Sequence, residues 1–182
     1  IKQVPMERIL TYEQIAEICT AAVQCGITKF KVTGGEPLVR LGCPDLIRMI
    51  HDIPGVREVT MTTNGMILSE NLPELMAAGL SAVNVSLDTL KPPVFKFITG
   101  VNALDRVLAG IHDAVRAGLK VKINSVLQRG VNDGEWADLI LLARDNPVDV
   151  RFIEMMPIGH GKEFGPVDNG ELLKKIRERY PE

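Results

Sequence analysis

The sequence predicts an α/β fold in which parallel strands form an open, partial barrel around a polar cavity. Two observations carry that expectation. Helix and strand signals alternate along the chain with no low-complexity linker between them, the order of right-handed βαβ units. Within the strands, polar and apolar side chains alternate, whereas a parallel strand covered on both faces reads as a nearly continuous apolar run.

Thr11-Tyr12-Glu13-Gln14 has the form of a capping box, in which Thr and Gln satisfy the first orphan N–H groups of a helix. The apolar stripe Tyr12, Ile15, Ala16, Cys19, Ala22 and Val23 follows, and Gly26 occupies the position favoured for a left-handed closing turn. A strand is expected at 27–33. The same grammar then repeats: Pro44 near a helix start, Gly55 before a strand at 56–63, Pro73 near the next helix start, and Gly79 before a strand at 81–87. Leu104, Val107, Leu108, Ile111, Ala114 and Val115 form a helical stripe ended by Gly118, ahead of a strand at 119–126. Trp136, Leu139, Ile140 and Ala143 mark another helix, a strand is expected at 148–154, and Leu172, Leu173 and Ile176 mark the last helix.

Strand parity divides the sheet into two unlike faces. Lys29, Lys31 and Thr33 share one face, as do Thr60, Thr62 and Asn64, then Asn84, Ser86 and Asp88, then Lys120, Lys122 and Asn124. Phe30, Val32, Val59, Met61, Val83, Val85, Val121 and Ile123 fall on the other face and can meet the helices. A closed barrel would fill its interior with branched apolar side chains, so the polar face argues for a cavity. Barrel enzymes carry their active sites at the C-terminal strand ends. Those ends hold Thr33 to Pro37, Thr62 to Gly65, Ser86 to Asp88, Asn124, and Glu154 to Pro157.

Thr33-Gly34-Gly35-Glu36-Pro37 is a ligand loop of unusual type, because a phosphate-binding loop needs a longer glycine-rich run ending in Lys and Ser or Thr. Here the polar side chain is an acceptor. The glycines are expected to bring backbone close to a ligand at unusual φ, and Pro37 keeps Glu36 out of helical conformation. Carbonyls and a carboxylate suit an ammonium group. Lys29, Lys31, Lys122 and Arg151 place positive charge on the cavity side. Ammonium groups and guanidinium forks together suit a polyanion such as a nucleotide triphosphate.

Composition narrows the partners. With 182 residues, 46% hydrophobic content and a net charge of −2, the chain can bury one core, and the expectation is one domain over 1–182. No basic stripe points to nucleic acid, and no apolar run approaches a membrane span. Cys19, Cys25 and Cys43 match neither a CxxC site nor a disulfide framework, so a reducing compartment is expected, and Cys19 belongs to the core stripe. His51, His112 and His160 lack metal spacing and read as structural or surface residues. Lys174, Lys175, Arg177, Glu178 and Arg179 read as a solvated helix face. The chain starts at Ile1 and ends directly after a helix, which leads us to expect a piece of something longer.

An ordered series of motifs adds a resemblance. Lys29-Phe30-Lys31-Val32-Thr33-Gly34-Gly35-Glu36-Pro37-Leu38, Thr62-Thr63-Asn64-Gly65, Asn84-Val85-Ser86-Leu87-Asp88, Ile98-Thr99-Gly100, Lys122-Ile123-Asn124, Arg129-Gly130-Val131-Asn132-Asp133 and Arg151-Phe152-Ile153-Glu154 with Met156-Pro157 resemble the radical S-adenosylmethionine (SAM) enzymes. Within these, the likeness is greater to the GTP 3′,8-cyclase family of molybdenum cofactor biosynthesis. The resemblance implies a partial (β/α)6 TIM-like barrel whose first strand and C-terminal region are absent from this chain. It also implies that Gly34, Gly35 and Glu36 hold the SAM amino group, that Ser86 and Asn124 contact the cofactor further along, and that Met156 lies near its adenosine. GTP contacts would fall on Lys31, Thr62 and Lys122, with Lys29, Thr33 and Arg151 nearby. The implied chemistry is one-electron cleavage of SAM by a 4Fe-4S cluster, hydrogen abstraction from the GTP ribose, and ring closure onto guanine. Two such clusters are expected in the full-length parent, with ligands outside this segment. A cyclic pyranopterin monophosphate synthase would act downstream, a homodimer is compatible, and the expected location is cytoplasmic, or the mitochondrial matrix in a eukaryote. On the residues alone, another radical SAM enzyme acting on a peptide or small metabolite, or a nucleotide-binding α/β module without radical chemistry, stays open.

The sequence also departs from the family pattern. It contains neither the CxxxCxxC cluster motif nor a second three-cysteine set nor a two-glycine C-terminus, so the segment alone is expected to be inactive. Lys31 stands where the family more often has Arg, exchanging a fork for a point charge. Arg40-Leu41-Gly42-Cys43 is atypical after the glycine loop.

Overall fold

The computed structural model describes residues 8–156, 165 and 167–181. Pro157 and His160, both named above, lie outside the described residues. Helix α1 spans Tyr12–Gln24 with the capping box formed: Thr11 accepts from the Gln14 N–H, and Gln14 accepts from the Thr11 N–H. Strands β1 (Lys29–Val32), β2 (Glu58–Thr63), β3 (Ala82–Ser86), β4 (Lys120–Val126) and β5 (Val148–Ile153) lie within the expected ranges. Helices α2 (Cys43–His51), α3 (Leu68–Ala77), α5 (Leu104–Arg116), α6 (Trp136–Asp145) and α7 (Asn169–Arg179) alternate with or follow them.

All neighbouring strands pair in parallel, in the order β1-β2-β3-β4-β5. That monotonic order has a consequence. When every crossover turns the same way and the order never reverses, the connecting helices cover one face of the sheet and leave the other bare. The alternating burial follows. Val59, Met61, Val83, Val85 and Ile123 are fully buried against Ile47, Leu68, Leu75, Val107 and Ala114. On the opposite parity Lys29, Lys31, Lys120 and Arg151 are exposed, and Thr60, Thr62, Lys122 and Asn124 are half-buried. Leu127, Leu139 and Leu172 form a smaller core that seats α7.

Helix α4 (Pro92–Thr99) was not expected from the apolar stripes. Its punctuation was legible, with Pro92 at the first turn and Gly100 in left-handed conformation after the last, but its eight residues hold only one buried side chain, Phe95. Pro73 does not open a helix: it lies inside α3, which begins five residues earlier. At the sixth position of the helix it forgoes one interior hydrogen bond, the one to the Ser69 carbonyl. Cys19 packs in the core, and His51 and His112 are exposed on their helices. The run from Lys174 to Arg179 faces outward, apart from half-buried Ile176.

Candidate cofactor and substrate site

The loop after β1 is anchored by its own acidic residue. Glu36 is extended (φ −136°, ψ 111°) and caps the single 3-10 turn Pro37–Val39, accepting from the Leu38 N–H at 3.1 Å. The same oxygen, Oε1, accepts from the Thr63 hydroxyl at 2.7 Å, while Oε2 accepts from the Asn64 N–H at 2.6 Å. A carboxylate offers about four acceptor positions; three are used here. One remains on Oε2. Gly34 and Gly35 correct the expectation of unusual φ, because neither adopts positive φ. A Cβ built on either would meet nothing within 4 Å, so neither torsion nor internal crowding requires glycine. What the two residues provide is bare backbone open to a ligand.

Strand register lines up the remaining residues in rows. Ser86 pairs with Asn124, and Asn124 with Arg151. One step deeper, Thr62 pairs with Asn84, Asn84 with Lys122, and Lys122 with Asp149. Ser86 is exposed, and Asn124 presents a buried Oδ1 with no hydrogen-bond partner among the described residues. A buried acceptor left this way carries a cost of about 1–3 kcal/mol, which a ligand donor would remove. Met156 lies three residues beyond β5 with its side chain 67% exposed, and Thr33 is exposed just past β1.

A groove of about 340 Å³ brings Lys29, Lys31, Thr60, Asn84, Lys122 and Arg151 together. Strands β1 and β5 are four positions apart, which in a flat sheet would separate them by roughly 19 Å. Shared lining of one groove therefore requires the sheet to curl. Lys29 does not act as an unpaired cation: it bridges Glu58 at 2.9 Å. The hydrogen bond and charge of Lys29, with smaller help from Lys120 and Lys122, hold the Glu58 carboxyl below its usual range. Lys31, Lys122 and Arg151 have no ion-pair partner among the described residues.

A second cavity of about 240 Å³ opens at the rim between Asn64, Ser86, Asp88 and the α4 side chains Phe95 and Ile98. Burial pushes the Asp88 carboxyl up, opposed in part by the Val126 N–H that donates to Oδ1 at 2.7 Å. Behind it, Asn132 donates to the carbonyls of Asp88 and Val126 and accepts from the Gln128 N–H. Glu135 accepts from the Thr89 hydroxyl and the Leu90 N–H. Thr63 and Glu135 carry no signal in local spacing, since their partners are 27 and 46 residues away in sequence.

The rim fits SAM. An open acceptor on Glu36, bare Gly34 and Gly35 backbone, and the orphan Asn124 oxygen suit its ammonium and its ribose hydroxyls. No three His, Cys, Asp or Glu side chains converge on a metal-sized site among the described residues, so these residues do not supply the ligand set of an iron-sulfur cluster. No helix among the described residues is long and apolar enough to cross a membrane.

The chain is 46% identical over 172 residues to the GTP 3′,8-cyclase of Clostridium perfringens (strain 13), a match covering 94% of this chain and 53% of that protein. It is 43% identical over 180 residues to molybdenum cofactor biosynthesis protein 1 of Mus musculus, covering 97% of this chain and 28% of that one. It thus spans about half the length of its bacterial relative or less of the animal one. Among solved structures, Streptococcus suis SuiB bound to S-adenosylmethionine superposes with a TM-score of 0.74 at 20% identity, covering 93% of this chain and 41% of that one. A radical SAM methyltransferase from Sphaerobacter thermophilus gives 0.69 at 20% identity, covering 91% and 52%. Both support the partial-barrel fold. The radical SAM superfamily profile matches residues 2–143, and the chain belongs to that superfamily.

Proposed function

We propose that the enzyme containing this segment is a GTP 3′,8-cyclase of molybdenum cofactor biosynthesis. The observation that carries the reading is the separation of two unlike half-sites on one polar face. Acceptors gather at the rim, and three cations with no ion-pair partner among the described residues, Lys31, Lys122 and Arg151, gather in the groove. Gly34, Gly35 and Glu36 would receive the SAM ammonium, Ser86 and Asn124 its ribose, and Met156 its adenine edge. Lys31, Lys122 and Arg151 would hold the triphosphate of GTP, with Thr62 and Thr33 as hydroxyl partners and Lys29 as a secondary charge tied to Glu58. Bound SAM supplies the group that takes a hydrogen atom from the nucleotide ribose. The chain's own part would be orientation, because the strand register sets the rim residues at the strand ends and the groove residues deeper along the same polar face. We further propose two 4Fe-4S clusters for the whole enzyme. The product would pass to a cyclic pyranopterin monophosphate synthase, and the enzyme would work in the cytoplasm, or in the mitochondrial matrix of a eukaryote. A homodimer belongs to the same proposal.

Titration of GTP into the whole enzyme by calorimetry tests the reading. Lys122→Ala and Arg151→Ala should each weaken GTP roughly tenfold, the scale of a charge-assisted hydrogen bond, and leave SAM affinity within about twofold. Unchanged GTP affinity in both variants would remove the triphosphate assignment.

A further inference from the structure

We infer that Thr63 is a positioning residue for the cofactor half of the site, acting through Glu36 on the ammonium of SAM. This rests on the Glu36 assignment proposed above. Thr63 sits on the helix-facing parity of β2 and is 2% exposed, so it touches no ligand itself. Its hydroxyl accepts from the Gly65 N–H at 3.1 Å and donates to Glu36 Oε1 at 2.7 Å. A hydroxyl has one proton. With an N–H on its acceptor side, that proton is directed at the carboxylate.

The Thr63 backbone is fixed from both sides. It pairs in register with Val85, and Gly65, the donor to its hydroxyl, is held at φ +79° where a Cβ would lie 2.8 Å from Val85 Cγ1. Glu36 is therefore tied to the second strand of the sheet as well as to its own loop. Glu has three side-chain torsions and a large rotamer freedom in solution. The Leu38 N–H and Asn64 N–H bonds alone leave Oε1 with a single 3.1 Å partner. The Thr63 bond sets the plane of the carboxylate and so the direction of the remaining Oε2 acceptor. The flanking residue, Thr62, points the other way, onto the polar face. The Thr-Thr pair thus divides two tasks between consecutive side chains.

The test uses the whole enzyme, prepared anaerobically with its clusters, and reads equilibrium binding of SAM and of GTP separately. Thr63→Val should raise the Kd for SAM roughly tenfold, Thr63→Ser should restore it to within about twofold, and GTP binding should stay unchanged in both. In a Glu36→Ala background, Thr63→Val should add no further loss, because the two residues act as one unit. If Thr63→Val does not yield folded enzyme, Thr63→Ala carries the same expectation. Normal SAM affinity in the Thr63 variants, with a loss in Glu36→Ala, overturns the positioning role and spares the Glu36 assignment. Equal weakening of SAM and GTP also overturns it, since a general structural role would do that. Unchanged SAM affinity in Glu36→Ala overturns the assignment on which the inference rests.

Discussion

Asp88 carries a negative charge into the rim cavity, where half-burial opposes it and a single N–H supports it. Its carboxyl therefore binds a proton more tightly in the folded chain than in the unfolded one. A raised folded value contributes stability that is complete below the unfolded value of about 3.9 and is lost as pH rises through the folded value. Asp88→Asn keeps an oxygen for the Val126 N–H and removes the charge. The thermal midpoint of Asp88→Asn should exceed that of the parent near pH 7.5, and the gap should close near about pH 3.5. A lower midpoint at the higher pH would mean that the carboxylate is stabilising in place. Lys29 offers the opposite lesson, because its bridge to Glu58 leaves both partners accessible to water, where such pairs contribute little to stability.

The segment between β4 and α6 is organised by one side chain with 1% exposure, Asn132. Its amide donates to the carbonyls of Asp88 at 2.6 Å and Val126 at 3.0 Å, and its oxygen accepts from the Gln128 N–H at 2.6 Å. Truncation to Ala leaves those backbone groups without partners in a dry setting. Asn132→Ala should cost about 3 kcal/mol, a fall in thermal midpoint on the order of 10 °C for a chain of this size. Calorimetric unfolding checks it, and a shift smaller than about 2 °C would show that water replaces the amide. The motif around Asn132 was visible in the sequence, but its task was not, because Asp88 is 44 residues away. Periodicity and punctuation do reach the strands, the capping box and the two unlike faces, since each arises from neighbours a few positions apart. They do not reach Thr63, whose burial reads locally as one more strand threonine. Short α4 was missed for lack of an apolar stripe, and Pro73 misled because interior helix prolines are rare. The glycine loop was expected to be torsionally special and is not, because neither Gly34 nor Gly35 adopts positive φ.

The sheet as a whole decides how the two half-sites respond to solvent. Its monotonic strand order places helices on one face, and its curl draws β1 and β5 around the same groove. Lys31, Lys122 and Arg151 then act on one volume, although they come from three strands. Glu58 and Asp149 share the face, but Glu58 is already paired with Lys29, so the field in the groove is positive despite the chain's net charge of −2. Several cations facing a polyanion in a partly open groove are screened by salt, with a Debye length of about 10 Å at 0.1 M that falls to about 3 Å at 1 M. Under the proposed assignment the rim works differently: a half-buried carboxylate, bare backbone and an amide would meet SAM through short hydrogen bonds. Raising ionic strength from about 0.05 M to 0.5 M should therefore weaken GTP binding to the whole enzyme at least about tenfold, while SAM binding moves by less than about threefold. Parallel titrations at fixed pH make the comparison. Equal salt dependence for both ligands would mean that they share one electrostatic environment, and the division of the polar face into an acceptor rim and a cationic groove would fall.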